Sequence, residues 1–184
     1  MKITKIFKRT IVPATIVTTT SVSVSCSDPS YTNHPLFHKN AKITRNTDID
    51  FTKYGIQKFS GHPKVRILLF PAQQENVDET GIFNIALHLS PVRGVTGEWI
   101  AFATEVKSEN DNTLVEPLNV KQASTIAKTN EEYPLQWSFD GDQKIRPYKS
   151  YTFIFWKKDG SEVIVFSKSN IESNKDIFYP YQIE

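Results

Sequence analysis

Apolar residues recur at every second position in several short runs of this 184-residue chain, and that period most restricts its possible folds. Phe83, Ile85, Leu87 and Leu89 alternate with Asn84, Ala86, His88 and Ser90, and Leu135, Trp137 and Phe139 alternate with Gln136, Ser138 and Asp140. Successive side chains of an extended strand point to opposite faces, so these runs describe strands with one dry and one wet face. Lys64–Phe70, Trp99–Val106, Leu114–Val120, Tyr151–Lys157 and Glu162–Ser167 are further extended candidates bounded by turn residues. The last two flank Asp159-Gly160, a dipeptide suited to a tight hairpin turn. Lys121–Glu132 is a candidate for a short helix, although it shows no clear apolar face. The pattern predicts an all-β fold: about seven antiparallel strands forming a sandwich over residues 64–168.

Composition supports a packed core, because 39% of residues are hydrophobic and only 23% are charged. The formal net charge of +2 misleads. Four of the 22 basic residues, Lys2, Lys5, Lys8 and Arg9, stand in the first 25 positions, which hold no acid. Without them, 18 basic groups face 20 acidic ones, and no basic stripe remains to neutralise phosphates. Nucleic acid is therefore not an expected partner.

The N-terminus has the layout of an export leader. After the basic stretch comes an uncharged run from Ile11 to Ser25, about 15 residues against the roughly 17–25 that a membrane-spanning helix needs. Pro13 and several threonines dilute it further. The run ends in Ser23-Val24-Ser25-Cys26, which resembles the lipobox of bacterial lipoproteins, where small residues precede a cysteine that receives diacylglycerol. Ser23 departs from the pattern, which usually has an aliphatic residue there. The Thr/Ser-rich leader is similar to those of mollicute surface lipoproteins. The resemblance implies cleavage before Cys26, fatty acyl chains (palmitate among them) on that cysteine, and a place on the extracytoplasmic face of a cell membrane. One acyl chain binds a bilayer marginally, whereas two hold stably. The same residues also suit an ordinary secretory leader cut near Ser23 or Ser25, which leaves Cys26 a free thiol. Cys26 is the single cysteine, so no intramolecular disulfide forms.

Four segments follow: a leader over 1–25, a polar tether over 26–63, the sandwich over 64–168, and an aromatic tail over 169–184. The tether is punctuated by prolines, glycines and asparagines. As a flexible coil of ~35 residues it spans roughly 30–35 Å. Within it, Phe51–Phe59 is less polar and is a candidate to pack on the domain.

Ile145-Arg146-Pro147-Tyr148-Lys149-Ser150-Tyr151 and the alternating aromatics after it resemble the start of the sixth strand of fibronectin type III domains. The resemblance implies an immunoglobulin- or fibronectin-like sandwich with a tyrosine corner. In such a corner Ile145 and Pro147 set the turn, and the Tyr151 hydroxyl bonds backbone near Ile145. It says nothing of function.

If Tyr151, Phe153 and Phe155 face inward, Ile154 and Trp156 face outward, and the Asp159-Gly160 turn sets Trp156 beside Val163 and Ile154 beside Val165. Placing Ile100, Phe102, Thr104 and Val106 inward adds Trp99 to that outer face. The expected result is a sheet that is apolar on both sides. Either the chain's own Phe51–Phe59 segment or aromatic tail covers this face, or Trp99, Ile154, Trp156, Val163 and Val165 form a partner-binding patch.

No pattern points to catalysis, a metal or a cofactor. His34 and His38 have ligand spacing but no third ligand nearby. His62 and His88 have no companion nucleophile or acid. Asp140-Gly141-Asp142 begins like a calcium loop, but Tyr151 stands where its glutamate is required. Glu131-Glu132 and Asp48/Asp50 are acidic pairs in loops, and Gly94-Val95-Thr96-Gly97 lacks the phosphate-loop ending. The expectation is a membrane-anchored, non-enzymatic module that binds a protein; a structural subunit of an envelope complex and an unrecognised hydrolase are the alternatives.

Overall fold

The computed structural model describes residues 46, 49–68, 73–74, 80–87, 95–127 and 135–180. They form a mostly-β fold of two sheets. Ten strands occur among them: β1 (Lys64–Leu68), β2 (Gln73–Gln74), β3 (Phe83–Leu87), β4 (Gly97–Ser108), β5 (Asp111–Leu114), β6 (Val120–Ala127), β7 (Leu135–Phe139), β8 (Ser150–Lys157), β9 (Glu162–Phe166) and β10 (Ile177–Phe178). A short helix, α1 (Lys168–Glu172), separates the last two.

The main sheet has seven strands in the order β1-β9-β8-β4-β5, with β6 also on β4 and β10 also on β8. It curls into an open half-barrel. The long β4 organises it: β8 pairs along one edge, while β6 and then β5 share the other. The smaller sheet is essentially the β3–β7 pair, with the two-residue β2 added at its edge.

The smaller sheet follows its period-two pattern. Phe83, Ile85, Leu87, Leu135, Trp137 and Phe139 are buried, while Asn84, Gln136 and Ser138 are exposed. Its dry face packs on β8. Phe83 and Phe153 stack at 5.9 Å, Phe139 meets Phe153 edge-on at 5.8 Å, and Trp137 lies 4.9 Å from Phe155. Such aromatic pairs contribute about 0.5–1.5 kcal/mol each beyond area burial. The Trp137 indole N–H, which would otherwise be stranded in this core, donates to the Trp99 carbonyl at 3.0 Å. From the C-terminal side, β10 brings Phe178 against Phe153 (5.2 Å) and Phe166 (5.9 Å), so the aromatic tail is an edge of the inner core.

Four features depart from the sequence expectations. The sheet is mixed, because β1 runs parallel to β9 at the opposite end of the domain sequence. The strands divide seven and three, which is not clearly an immunoglobulin arrangement. Leu114–Val120 is not a strand: the chain turns there at a cis Glu116–Pro117 peptide. Residues 121–127, the first part of the expected short helix, belong to β6, paired with β4 from Gly97↔Ala127 to Thr104↔Val120. A segment with no apolar helical stripe gains little as a helix, and pairing with the central strand decides its state.

Candidate functional site

The two faces of the main sheet can be assigned from its register. Trp156 pairs with Ile100 and Val163, and Ile154 with Phe102. Partners across a ladder share a face, so Ile100, Phe102, Thr104, Ile154, Trp156, Val163 and Val165 form the face turned away from the smaller sheet. Trp99 is not on it. It lies with Ala101 and Ala103 on the inner face, fully buried, its Nε1–H donating to the Thr96 carbonyl at 3.1 Å. The run from Trp99 to Ala103 is apolar at every position, so nothing in its pattern sets the phase of the strand.

The outer face is covered. Ile154, Val163 and Val165 are at most 3% exposed, and Trp156 is half-buried. Over Phe102 and Trp156 the cover is a strap from Ile49 to Ile56, which overlaps the Phe51–Phe59 segment that the sequence offers to pack on the domain. Its centre is a 3-10 turn, Phe51–Tyr54, whose Phe51 ring lies 4.5 Å from Phe102 and 6.3 Å from Trp156. Tyr54 stands edge-on to Phe102 at 6.2 Å. Burying Phe51 and Ile56 is worth about 1.5–3 kcal/mol each, an upper range because a mobile strap is not fully extended in water.

Local chemistry shapes the strap. The Asp50 carboxylate accepts from the Thr52 amide at 3.2 Å and the Thr52 hydroxyl at 2.6 Å, capping the turn at its start. At its end the Gly55 N–H donates to the Phe51 and Thr52 carbonyls, and the Gln57 N–H donates to the Lys158 carbonyl at 2.9 Å. That last bond pins the strap to the β8–β9 hairpin. Gly160 of this hairpin has φ of +74°, and a Cβ on it would overlap the Gln57 carbonyl oxygen.

The Thr52 hydroxyl, then the Thr52 amide, hold the Asp50 carboxyl below its ordinary value, with a smaller contribution from Lys53. A depressed carboxyl stabilises the fold above its unfolded value and loses that contribution as pH falls through the folded one. Acidifying through and below the ordinary carboxylate range is therefore expected to loosen the strap. Asp50→Asn, which retains capping geometry without the titration, should flatten that part of the profile in tryptophan emission. Asp159 also titrates low, since its bonds from Ser161 and Lys157 outweigh the opposing effect of burial, so the difference between wild type and Asp50→Asn isolates the strap. Identical acid profiles for the two would remove Asp50 from the account.

A polar knot closes the other end of β8. Tyr151 turns inward, and its hydroxyl accepts from the Arg146 backbone N–H at 2.9 Å, one residue beyond the buried Ile145, with Pro147 following. The Arg146 guanidinium pairs with Glu105, whose side chain is 5% exposed and also accepts from the Asn119 amide at 3.3 Å. Its bond to Glu105, and then that to Tyr151, raise the Arg146 guanidinium, while burial chiefly raises the Tyr151 phenol. These groups engage one another in a structural joint that ties β4, the 115–119 turn and the start of β8.

Cys26, His34, His38, Asp48, His88 and Glu131-Glu132 lie outside the described residues. His62 is exposed, and Asp140 and Asp142 sit around a short 3-10 turn where the Asp142 carbonyl accepts from Lys121. Among the described residues, no three His, Cys, Asp or Glu side chains group as a metal site. Sequence reasoning missed Phe102 as an outer-face residue, the burial of Glu105, and the close approach of Gly160 to Gln57. Only the Asp-Gly turn signal hinted at the last. Comparison with protein-family models, characterised proteins and solved structures finds no match for this chain.

Proposed function

We propose that the chain is an exported protein held on the extracytoplasmic face of a cell membrane by lipid on Cys26, and that its β domain is a non-catalytic module that binds a protein partner. The observation that carries the anchor is the order basic stretch, short uncharged run, Ser23-Val24-Ser25-Cys26. The binding role is a reading of the sequence; of the residues it named, the half-buried Trp156 is the one on the outer face that is not fully buried. The corner built from Ile145, Pro147 and Tyr151 supports a fibronectin type III-like character for that end of the domain.

The test is the mass of the N-terminal peptide after expression in a lipidating bacterium, together with fractionation of a Cys26→Ala variant. The expected peptide begins at Cys26 and carries diacylglycerol, and the variant moves from the membrane to the soluble fraction. An intact Met1, an unmodified Cys26, or a variant that stays with the membrane would overturn the anchor.

A further inference from the structure

The end of the main sheet at the β8–β9 turn carries exposed apolar side chains beside unpaired cations. Residues 57–62 are exposed at every position, yet their backbone is pinned on both sides. The Gln57 N–H donates to the Lys158 carbonyl at 2.9 Å, and the Lys64 N–H to the Ser161 carbonyl at 2.8 Å. The loop so held presents Phe59, 42% exposed, with its ring over Gly61 and its Cβ close to Gly160. Ile126, 72% exposed at the end of β6, reaches the same tip: it pairs with Glu98, whose carbonyl accepts from the Lys158 N–H at 2.9 Å. The carboxylates of the tip are already engaged. Glu98 is paired with Lys158, Glu162 with Arg66 and Lys157, and Asp159 with Lys157 while it accepts from Ser161. Lys58 and Lys64 are exposed and have no ion pair among the described residues. Lys58, Lys64, Arg66, Lys157 and Lys158 thus face Glu98, Asp159 and Glu162, five cations to three carboxylates. The excess is local, since residues 26–184 as a whole hold 18 basic groups against 20 acidic ones.

From these observations we propose that this tip is a membrane contact, in which Phe59 and Ile126 enter the headgroup region of an anionic bilayer and Lys58 and Lys64 meet its phosphates. Projecting apolar side chains flanked by cations match such a surface, whose acyl boundary takes the first and whose headgroups take the second. Protein hot spots instead lie in desolvated pockets, and no residue of 57–62 is buried to line one. Each lysine close to an anionic surface raises partition about fivefold, an effect that salt screens. The chain shows no basic stripe in sequence because the parts of the tip, residues 57–66, Glu98, Ile126 and residues 157–162, meet only in the fold. The inference rests on the membrane-held reading above for the bilayer it meets. It adds an orientation to that reading: the β8–β9 turn faces the lipid, and the exposed Tyr148, just before the opposite end of β8, faces away.

Cys26 is the single cysteine, so a full chain carrying Cys26→Ala accepts one new cysteine and one label. Phe59→Cys, Ile126→Cys and, as the far-end control, Tyr148→Cys are each labelled with an environment-sensitive nitrobenzoxadiazole dye. All three positions are exposed, and two tip positions keep the test alive if one variant fails to fold. The probes are vesicles of phosphatidylcholine with phosphatidylglycerol, and vesicles of phosphatidylcholine alone. The dye at 59 and at 126 is expected to brighten and shift to the blue on the anionic vesicles and to keep its emission in water on the neutral ones. The dye at 148 should keep its emission in water on both. Adding Lys58→Glu and Lys64→Glu to the Phe59→Cys chain should raise the lipid concentration needed for the shift at least ~10-fold. Emission unchanged at both 59 and 126 on anionic vesicles would overturn the contact. An equal shift at 148 would overturn the orientation, and an equal response to neutral vesicles would overturn the pairing of lysines with anionic headgroups. The leader is common to all the labelled chains and the dye reports only its own position. Because Cys26→Ala removes the lipid, failure of the tip and failure of the anchor are read separately.

Discussion

Trp137→Ala is expected to destabilise the domain by about 3–5 kcal/mol, which for a domain of this size lowers Tm by roughly 10–20 °C. Trp137 is 2% exposed at the centre of the smaller sheet and packs at 4.9 Å on Phe155 of the main one. Truncation leaves a cavity where the two sheets meet, and it also deprives the buried Trp99 carbonyl of its donor. Trp137→Phe separates the two losses. It keeps a ring against Phe155 and removes only the N–H, so about 1–2 kcal/mol is expected. Thermal unfolding followed by circular dichroism measures both. A shift for Trp137→Ala below about 3 °C would mean that the two sheets do not depend on a shared core.

Gly160→Ala should cost nearly as much by a different route. An L-residue in the left-handed region costs about 1–2 kcal/mol, and here the added Cβ also meets the Gln57 backbone carbonyl. Backbone cannot yield as a flexible side chain does, so the Gln57–Lys158 bond breaks and the strap lifts. With Phe51 and Ile56 losing about half of their contact with the sheet, the total rises to about 3–5 kcal/mol. Gly141→Ala is the control. It also replaces a glycine of positive φ, but its Cβ would point into open space, so only the conformational cost of about 1 kcal/mol is expected. The distinguishing readout is Trp156 emission, which should move to the red in Gly160→Ala and stay in place in Gly141→Ala. Equal effects of the two substitutions would show that the hairpin does not hold the strap.

The two results test different parts of the fold. Trp137 tests the inner core, on which the whole fold depends, whereas Gly160 tests a latch whose loss should leave the sheets intact. Trp156→Glu, by contrast, places a charge beneath Phe51, so loss of binding and loss of strap packing would come together.

Where apolar and polar residues alternate, the local pattern was enough. Phe83 to Leu87 and Leu135 to Phe139 bury the side chains their spacing marks, because a one-residue slip would put every apolar group in water. The Asp159-Gly160 turn likewise set Trp156 opposite Val163 before any tertiary contact was considered. Residues 99–103 had no such contrast, and only packing against the smaller sheet put Trp99 inside and Phe102 outside. The parallel pairing of β1 with β9, the capture of residues 120–127 as a strand, and the meeting of Gly160 with Gln57 join positions far apart in the chain. No short-range period encodes such pairings, since they depend on which surfaces remain unburied once the core has formed. The proposed export leader ending at Cys26 rests on a linear pattern read from the sequence alone, whereas the strap over the outer face is a property of the folded chain.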